Sequence, residues 1–292
     1  MKNFIYLFMT VAAFTLGSCS KEDDSTEPTG ADDDIDVVDD TDDIGELTGE
    51  SETFNLQSVL DPDISGTVTF KEHESGATTI EIKLEGTSAG TYPAHIHRES
   101  TAEHGALAIT LNDVDGDTGV STTVVSGLDN GTPIDYNALI AYDGYVSVYR
   151  TTDFDGHIAK ADIGINKLTG ESVTYNLNSV TEDAIEGTVT IYERISGAAL
   201  VEIKLDGTNG EDSYPAHIHV NSVEEGGGMV VILEPVHGGS GISNTHVEMM
   251  MDETAVTYDD LLVYDGHINV HLCEAQMDVI ISQGNIGTNA AD

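Results

Sequence analysis

The hexapeptide Tyr-Pro-Ala-His-Ile-His occurs twice, at residues 92–97 and again at 214–219. Long stretches of chain on either side of it also align. Phe54-Asn55-Leu56 matches Tyr175-Asn176-Leu177, and Gly66-Thr67-Val68-Thr69 matches Gly187-Thr188-Val189-Thr190. Glu81-Ile82-Lys83-Leu84 returns as Glu202-Ile203-Lys204-Leu205, and the copies close on Asp162-Ile163-Gly164 and Asn285-Ile286-Gly287. One domain has been duplicated in tandem, so whatever fold a single copy adopts, the chain adopts twice. The repeated motif also places two histidines at i and i+2, which on a strand puts both imidazoles on one face of a sheet.

Each copy is a series of short alternating runs bounded by Gly, Asn and Asp. Thr79-Ile80-Glu81-Ile82-Lys83-Leu84 has the period of two of a half-buried antiparallel strand, and 106–111, 122–125 and 145–149 continue it. Only 134–140 and 256–262 suggest a helical turn. The spacing predicts an all-β protein of two tandem antiparallel β-sandwich or Greek-key barrel domains, at residues 50–165 and 171–288. The bridge 166–170 is short, so the two domains are expected to touch.

The first residues have a different character. Lys2 precedes an apolar run from Phe4 to Leu16, too short to favour a spanning helix and shaped like a secretory signal. Leu16-Gly17-Ser18-Cys19 resembles the bacterial lipoprotein box, which implies a signal peptide at 1–18 and a lipid on Cys19. Ser20-Lys21-Glu22-Asp23-Asp24 resembles the acidic tag that sends lipoproteins to the cell surface. Residues 19–49, with Asp32-Asp33-Asp34, Asp39-Asp40 and Asp42-Asp43, read as a disordered acidic tether. The protein is therefore expected at the outer membrane, exposed on the cell surface and held there by its lipid. Cys273 is then left without a disulfide partner and reads as a small, inert strand residue.

Charge removes one class of function. The chain carries 10 Lys+Arg against 53 Asp+Glu, a formal net charge of −43. Phosphate backbones need clustered cations, so nucleic acid is excluded as a partner. Divalent cations, cationic partners or a saline exterior suit such a charge better, and a simply well-solvated surface accounts for it equally well.

Taken together, Gly-Thr-Val-Thr, Pro-Ala-His-Ile-His, the loop Asn221-Ser222-Val223-Glu224-Glu225-Gly226-Gly227-Gly228 and the segment His267-Ile268-Asn269-Val270-His271 resemble the CHRD (chordin-type) domain of bacterial surface proteins. The resemblance implies an all-β domain reminiscent of the copper/zinc superoxide dismutase barrel. The resemblance supplies a fold rather than an activity; the leading reading of the whole chain is a surface-anchored, non-enzymatic binding or interaction module with an unknown protein or small-ligand partner.

The histidines raise an alternative, a zinc or copper site. If the strands carrying them adjoin, His217, His219 and His271 converge as three neutral nitrogen donors, a set that suits either metal. His267 lies roughly 13 Å from His271 along an extended strand and is not expected to share the ion. The first copy has Tyr145, Ser147 and Tyr149 in place of His267, Asn269 and His271, leaving a weaker set of His95, His97 and His104. Asp113, Asp115 and Asp117 resemble a fragment of a calcium loop without its closing Glu. His73, His157, His237 and His246 fall in turns or strand ends and read as solvated surface residues. Superoxide chemistry fits poorly, because no Arg or Lys follows the second His pair and the negative field repels the anion.

Overall fold

A computed structural model describes residues 44–59, 62–150, 156–182 and 184–290. The proposed signal peptide, Cys19 and nearly all of the tether lie outside the described residues. The rest forms two eight-stranded closed antiparallel barrels of the same topology.

The first barrel comprises β1 (Leu47–Ser58), β2 (Ser65–His73), β3 (Thr78–Glu85), β4 (Thr91–Arg98), β5 (Leu107–Asp115), β6 (Val120–Val125), β7 (Asp143–Tyr149) and β8 (His157–Gly164), with α1 (Tyr136–Ile140) between β6 and β7. The second repeats it as β9 (Leu168–Ser179), β10 (Glu186–Arg194), β11 (Ala199–Asp206), β12 (Ser213–Val220), β13 (Met229–His237), β14 (Ile242–Val247), α2 (Tyr258–Leu262), β15 (Asp265–His271) and β16 (Ile280–Gly287). Around the first barrel the order is β1-β2-β3-β6-β5-β4-β7-β8. β3 therefore pairs with β6 rather than with β4, and the chain crosses the barrel end twice in Greek-key fashion.

Alternation decides which face is inside. In β3, Thr78, Ile80, Ile82 and Leu84 are buried, while Thr79, Glu81, Lys83 and Glu85 point outward. Val68, Phe70, Ala94, Ile96, Val146 and Val148 fill the first interior; Val189, Ile191, Ala216, Ile218, Ile268 and Val270 fill the second. The helices are one turn long and close the barrel ends. Asp135 caps α1 by accepting from the Ala138 N–H (2.8 Å), and Thr257 and Asp260 form a capping box on α2. Both lie within the two segments where the sequence suggested a turn of helix.

The ordered first barrel begins earlier than the composition indicates. β1 starts at Leu47, and Glu74 N–H donates to the Glu46 carbonyl (2.9 Å) just ahead of it. Ile195 N–H donates to the Lys167 carbonyl in the same way ahead of β9 (2.9 Å). Residues 44–49, read as tether, thus belong to the barrel, because sheet pairing outweighs their polar composition. The signal was Leu47-Thr48-Gly49-Glu50-Ser51, which returns unchanged as Leu168-Thr169-Gly170-Glu171-Ser172.

The bridge between the barrels is itself structured. Asn166 is buried and donates through Nδ2 to Asp143 Oδ1 (2.8 Å). Lys167 pairs with Glu52 and lies over the Phe54 ring (5.5 Å). Arg194 of the second barrel, its side chain wholly buried, pairs with Asp162 of the first (2.8 Å) and donates to the Asn166 carbonyl.

Candidate metal centre

β12 lies between β13 and β15, and its register sets the site. His217 stands opposite Asn269 and His219 opposite His267. Ile218, Ile268 and Val270 point into the core, so the imidazoles project from the outer wall. They are nevertheless covered. His217, His267 and His271 are 6%, 3% and 5% exposed, and Asn269 is 6% exposed. The loop from Asn221 to Gly228 supplies part of that cover: His267 Nδ1–H donates to the Asn221 carbonyl (2.8 Å), and His219 Nδ1–H to the Gly227 carbonyl (3.1 Å). Gly227 approaches so closely that a Cβ there would overlap the Val220 carbonyl oxygen.

These bonds fix the tautomers. With its proton on Nδ1, His219 presents the Nε2 lone pair, which is buried without a hydrogen-bond partner. The Asn269 amide oxygen is in the same condition, and neither ring nitrogen of His271 makes a hydrogen bond of normal geometry, the Met277 main chain being its nearest partner. Such a gathering on one strand pair is unusual, since buried polar groups are nearly always bonded. One donor atom from each of His217, His219 and His271 lies within 4.8 Å of the others. Such a group is able to hold a metal ion, and it is the one cluster of this kind among the described residues. His267 does not join it; its ring stacks on that of His219 (5.1 Å, 20°).

The first barrel shows what the same surface does without the third histidine. His97 Nδ1–H donates to the Gly105 carbonyl (3.0 Å), the same bond that His219 makes. Its Nε2, however, accepts from the Tyr149 hydroxyl (2.9 Å), and Tyr149 stands at the place of His271. Burial raises the Tyr149 pKa, so the phenol remains a donor at neutral pH. Ser147, at the place of Asn269, bonds to His157 Nδ1, whereas the second barrel has Ile280 where His157 stands. Three replacements therefore close the network in the first barrel and leave it open in the second.

His104 does not converge with His95 and His97. It sits in the loop at a positive φ of 57°, where the second copy has Gly226 at 66°, and it lines the cleft between the barrels. The Asp115 carboxylate is engaged inside its own turn, accepting from Thr118 N–H (2.9 Å) and Asp117 N–H (3.1 Å), and no acidic group gathers Asp113, Asp115 and Asp117. Three of the four histidines read as surface residues are not. His73 is buried, bonding to the Gly45 carbonyl (3.0 Å) and Thr79 (2.7 Å); His157 joins the Tyr149 cluster; and the His246 side chain is 8% exposed. His237 is exposed. Cys273 lies just past the end of β15, half-buried, and opens a 3₁₀ turn.

Burial favours the neutral form of the three triad histidines. It lowers the His217 pKa to about 4, with His271 and His219 adding to the effect. His219 and His271 are also lowered, chiefly by burial. Neutral imidazoles are the form that ligates. An unfolded histidine near 6.5 binds its proton before the folded one does, so between those values the unfolded state holds more protons. Stability of the metal-free protein is therefore level above about pH 6.5 and falls as pH drops toward about 4. His157, lowered to about 4 by burial, imposes the same sign on the first barrel. Thermal unfolding across that range checks this; a melting temperature that rises on acidification contradicts it.

No protein-family model matches the sequence, and comparison with curated proteins gives no match. Among the described residues no helix is long and apolar enough to cross a membrane.

Proposed function

We propose that this protein is a metal-binding module whose second barrel holds zinc or copper at His217, His219 and His271. The observation that carries this reading is the buried, unpartnered Nε2 of His219 in a group where His217, His219 and His271 each bring a nitrogen within 4.8 Å of the others. A Lewis acid supplies the partner that Tyr149 supplies in the first barrel. The three ligands are neutral, so the ion keeps its full charge, and a net charge of −43 favours that. With three imidazoles bound, a fourth position stays open, as in catalytic rather than structural zinc sites.

In this reading the resemblance to CHRD domains and to the lipoprotein box gives the setting. The lipid on Cys19 and the acidic segment after it present two barrels at the outer surface of an outer membrane. Metal analysis of purified protein after loading and desalting tests the core of the proposal. One equivalent per chain is expected, and the His217→Ala/His219→Ala chain should retain none. A metal-free wild-type chain rules the site out.

A second reading, a non-enzymatic module for a protein or small ligand, draws support from a separate feature. A cleft of about 800 Å³ lies between the barrels, lined by both, and it does not include the histidine triad.

A further inference from the structure

Every methionine among the described residues lies in the second barrel: Met229, Met249, Met250, Met251 and Met277. The first barrel has none, although its fold is the same. Matching hydrogen bonds identify the equivalent positions. Met229 pairs with His219 as Leu107 pairs with His97. The turn at Met249-Met250-Met251 corresponds to Gly127-Leu128-Asp129: Met250 N–H donates to Thr254 as Leu128 N–H does to Thr132 (2.8 Å each), and Met251 N–H donates to the Val230 carbonyl as Asp129 N–H does to that of Ala108. Leucine, glycine and aspartate therefore satisfy the fold where the second barrel has thioethers.

Nor does burial explain them, Met250 apart, which packs against the core. Met249 and Met251 are each 54% exposed and Met229 is 38% exposed, so little apolar area is gained. Their placement points to the triad instead. Met229 is the cross-strand neighbour of His219, and directly paired positions bring side chains within about 5 Å at Cβ. Met251 is tied to the residue after Met229 by its main-chain bond to Val230 (2.8 Å), so the turn lies beside that strand. Exposed methionines thus stand on the strand and in the turn next to a buried cluster of imidazoles.

Thioethers are soft donors that select copper(I) and contribute little to zinc. We propose that the second barrel is a copper(I) site, in which Met229, Met249 and Met251 take up the ion and His217, His219 and His271 hold it. This rests on the metal reading above and decides between the two metals it leaves open. Binding is of the ion as presented; no electron is transferred.

The test uses the full chain and its Met229→Leu/Met249→Leu/Met251→Leu variant. Leucine conserves volume and already occupies the position equivalent to Met229, so folding is retained. Copper(I) affinity is measured without oxygen by competition with a coloured copper(I) chelator, and zinc affinity by competition with a fluorescent one. A parallel Cys273→Ser chain removes the contribution of the thiol. The variant is expected to lose roughly tenfold or more in copper(I) affinity while zinc affinity changes less than about twofold. Unchanged copper(I) affinity, or equal loss for both ions, overturns the copper proposal and leaves the triad standing, provided that His217→Ala/His219→Ala abolishes zinc binding. If the wild-type chain binds neither ion, the triad reading fails with it.

Discussion

His271→Tyr abolishes metal binding by the second barrel, and Tyr149→His confers it on the first. The two substitutions exchange the residues that differ at one equivalent position, and each outcome already has its precedent in the other barrel. In the first, the Tyr149 hydroxyl reaches His97 Nε2 at 2.9 Å and satisfies the lone pair. A tyrosine at position 271 has the same geometry toward His219, whose Nδ1 is already committed to Gly227. The site loses one ligand and finds another capped, so affinity should fall by more than the roughly 100-fold that loss of an outer-shell contact costs. Stability should hold or rise, because a buried imidazole without a well-formed hydrogen bond gives way to a bonded phenol. Conversely, Tyr149→His gives the first barrel three imidazoles with His95 and His97, already neutral through burial. Metal stoichiometry by elemental analysis should read zero for His271→Tyr and two for Tyr149→His. A His271→Tyr chain that still binds one equivalent places the metal elsewhere.

Much of the fold was legible because strand geometry writes itself into sequence at a period of two. Residues 79–84 alternate so strictly that their inward and outward faces follow without coordinates, and the outward pairing of His217 with His219 follows from the same rule. Convergence with His271 was also readable, since it required only that β12 and β15 adjoin. The pairing of β3 with β6 was not, because that depends on contacts far apart in the chain. Nor was the fate of His104, which rests on a left-handed loop residue rather than on any pattern. The burial of His73 and His157 was hidden for a related reason. Strand ends read as exposed until the neighbouring segment that covers them is placed. The concentration of methionine in one copy was visible throughout, but it gained meaning only once Met229 was seen beside His219.

The second large effect concerns the join between the barrels. Asp162→Ala should destabilise the tandem protein by about 3–5 kcal/mol, whereas Arg194→Met should cost much less. Arg194 is wholly buried and cannot shed its charge, and its Nε and Nη2 already lack partners. Its one carboxylate is Asp162, with the Asn166 carbonyl as the remaining acceptor. Removing Asp162 strands a cation in the joint and also frees the Thr101 N–H that donates to Asp162 (2.7 Å). Removing Arg194 is gentler: Asp162 keeps the Thr101 bond and is 13% exposed, so water reaches it, while methionine fills the vacated volume. The second barrel's own end shows the alternative, where Asn285 accepts from the Val223 N–H (2.8 Å) without any arginine. Because Arg194 and Asp162 belong to different barrels, the loss should fall on their coupling. Urea unfolding followed by tyrosine fluorescence should broaden or split into two transitions for Asp162→Ala and stay single for Arg194→Met. Equal losses in the two variants would mean that the pair contributes packing rather than charge.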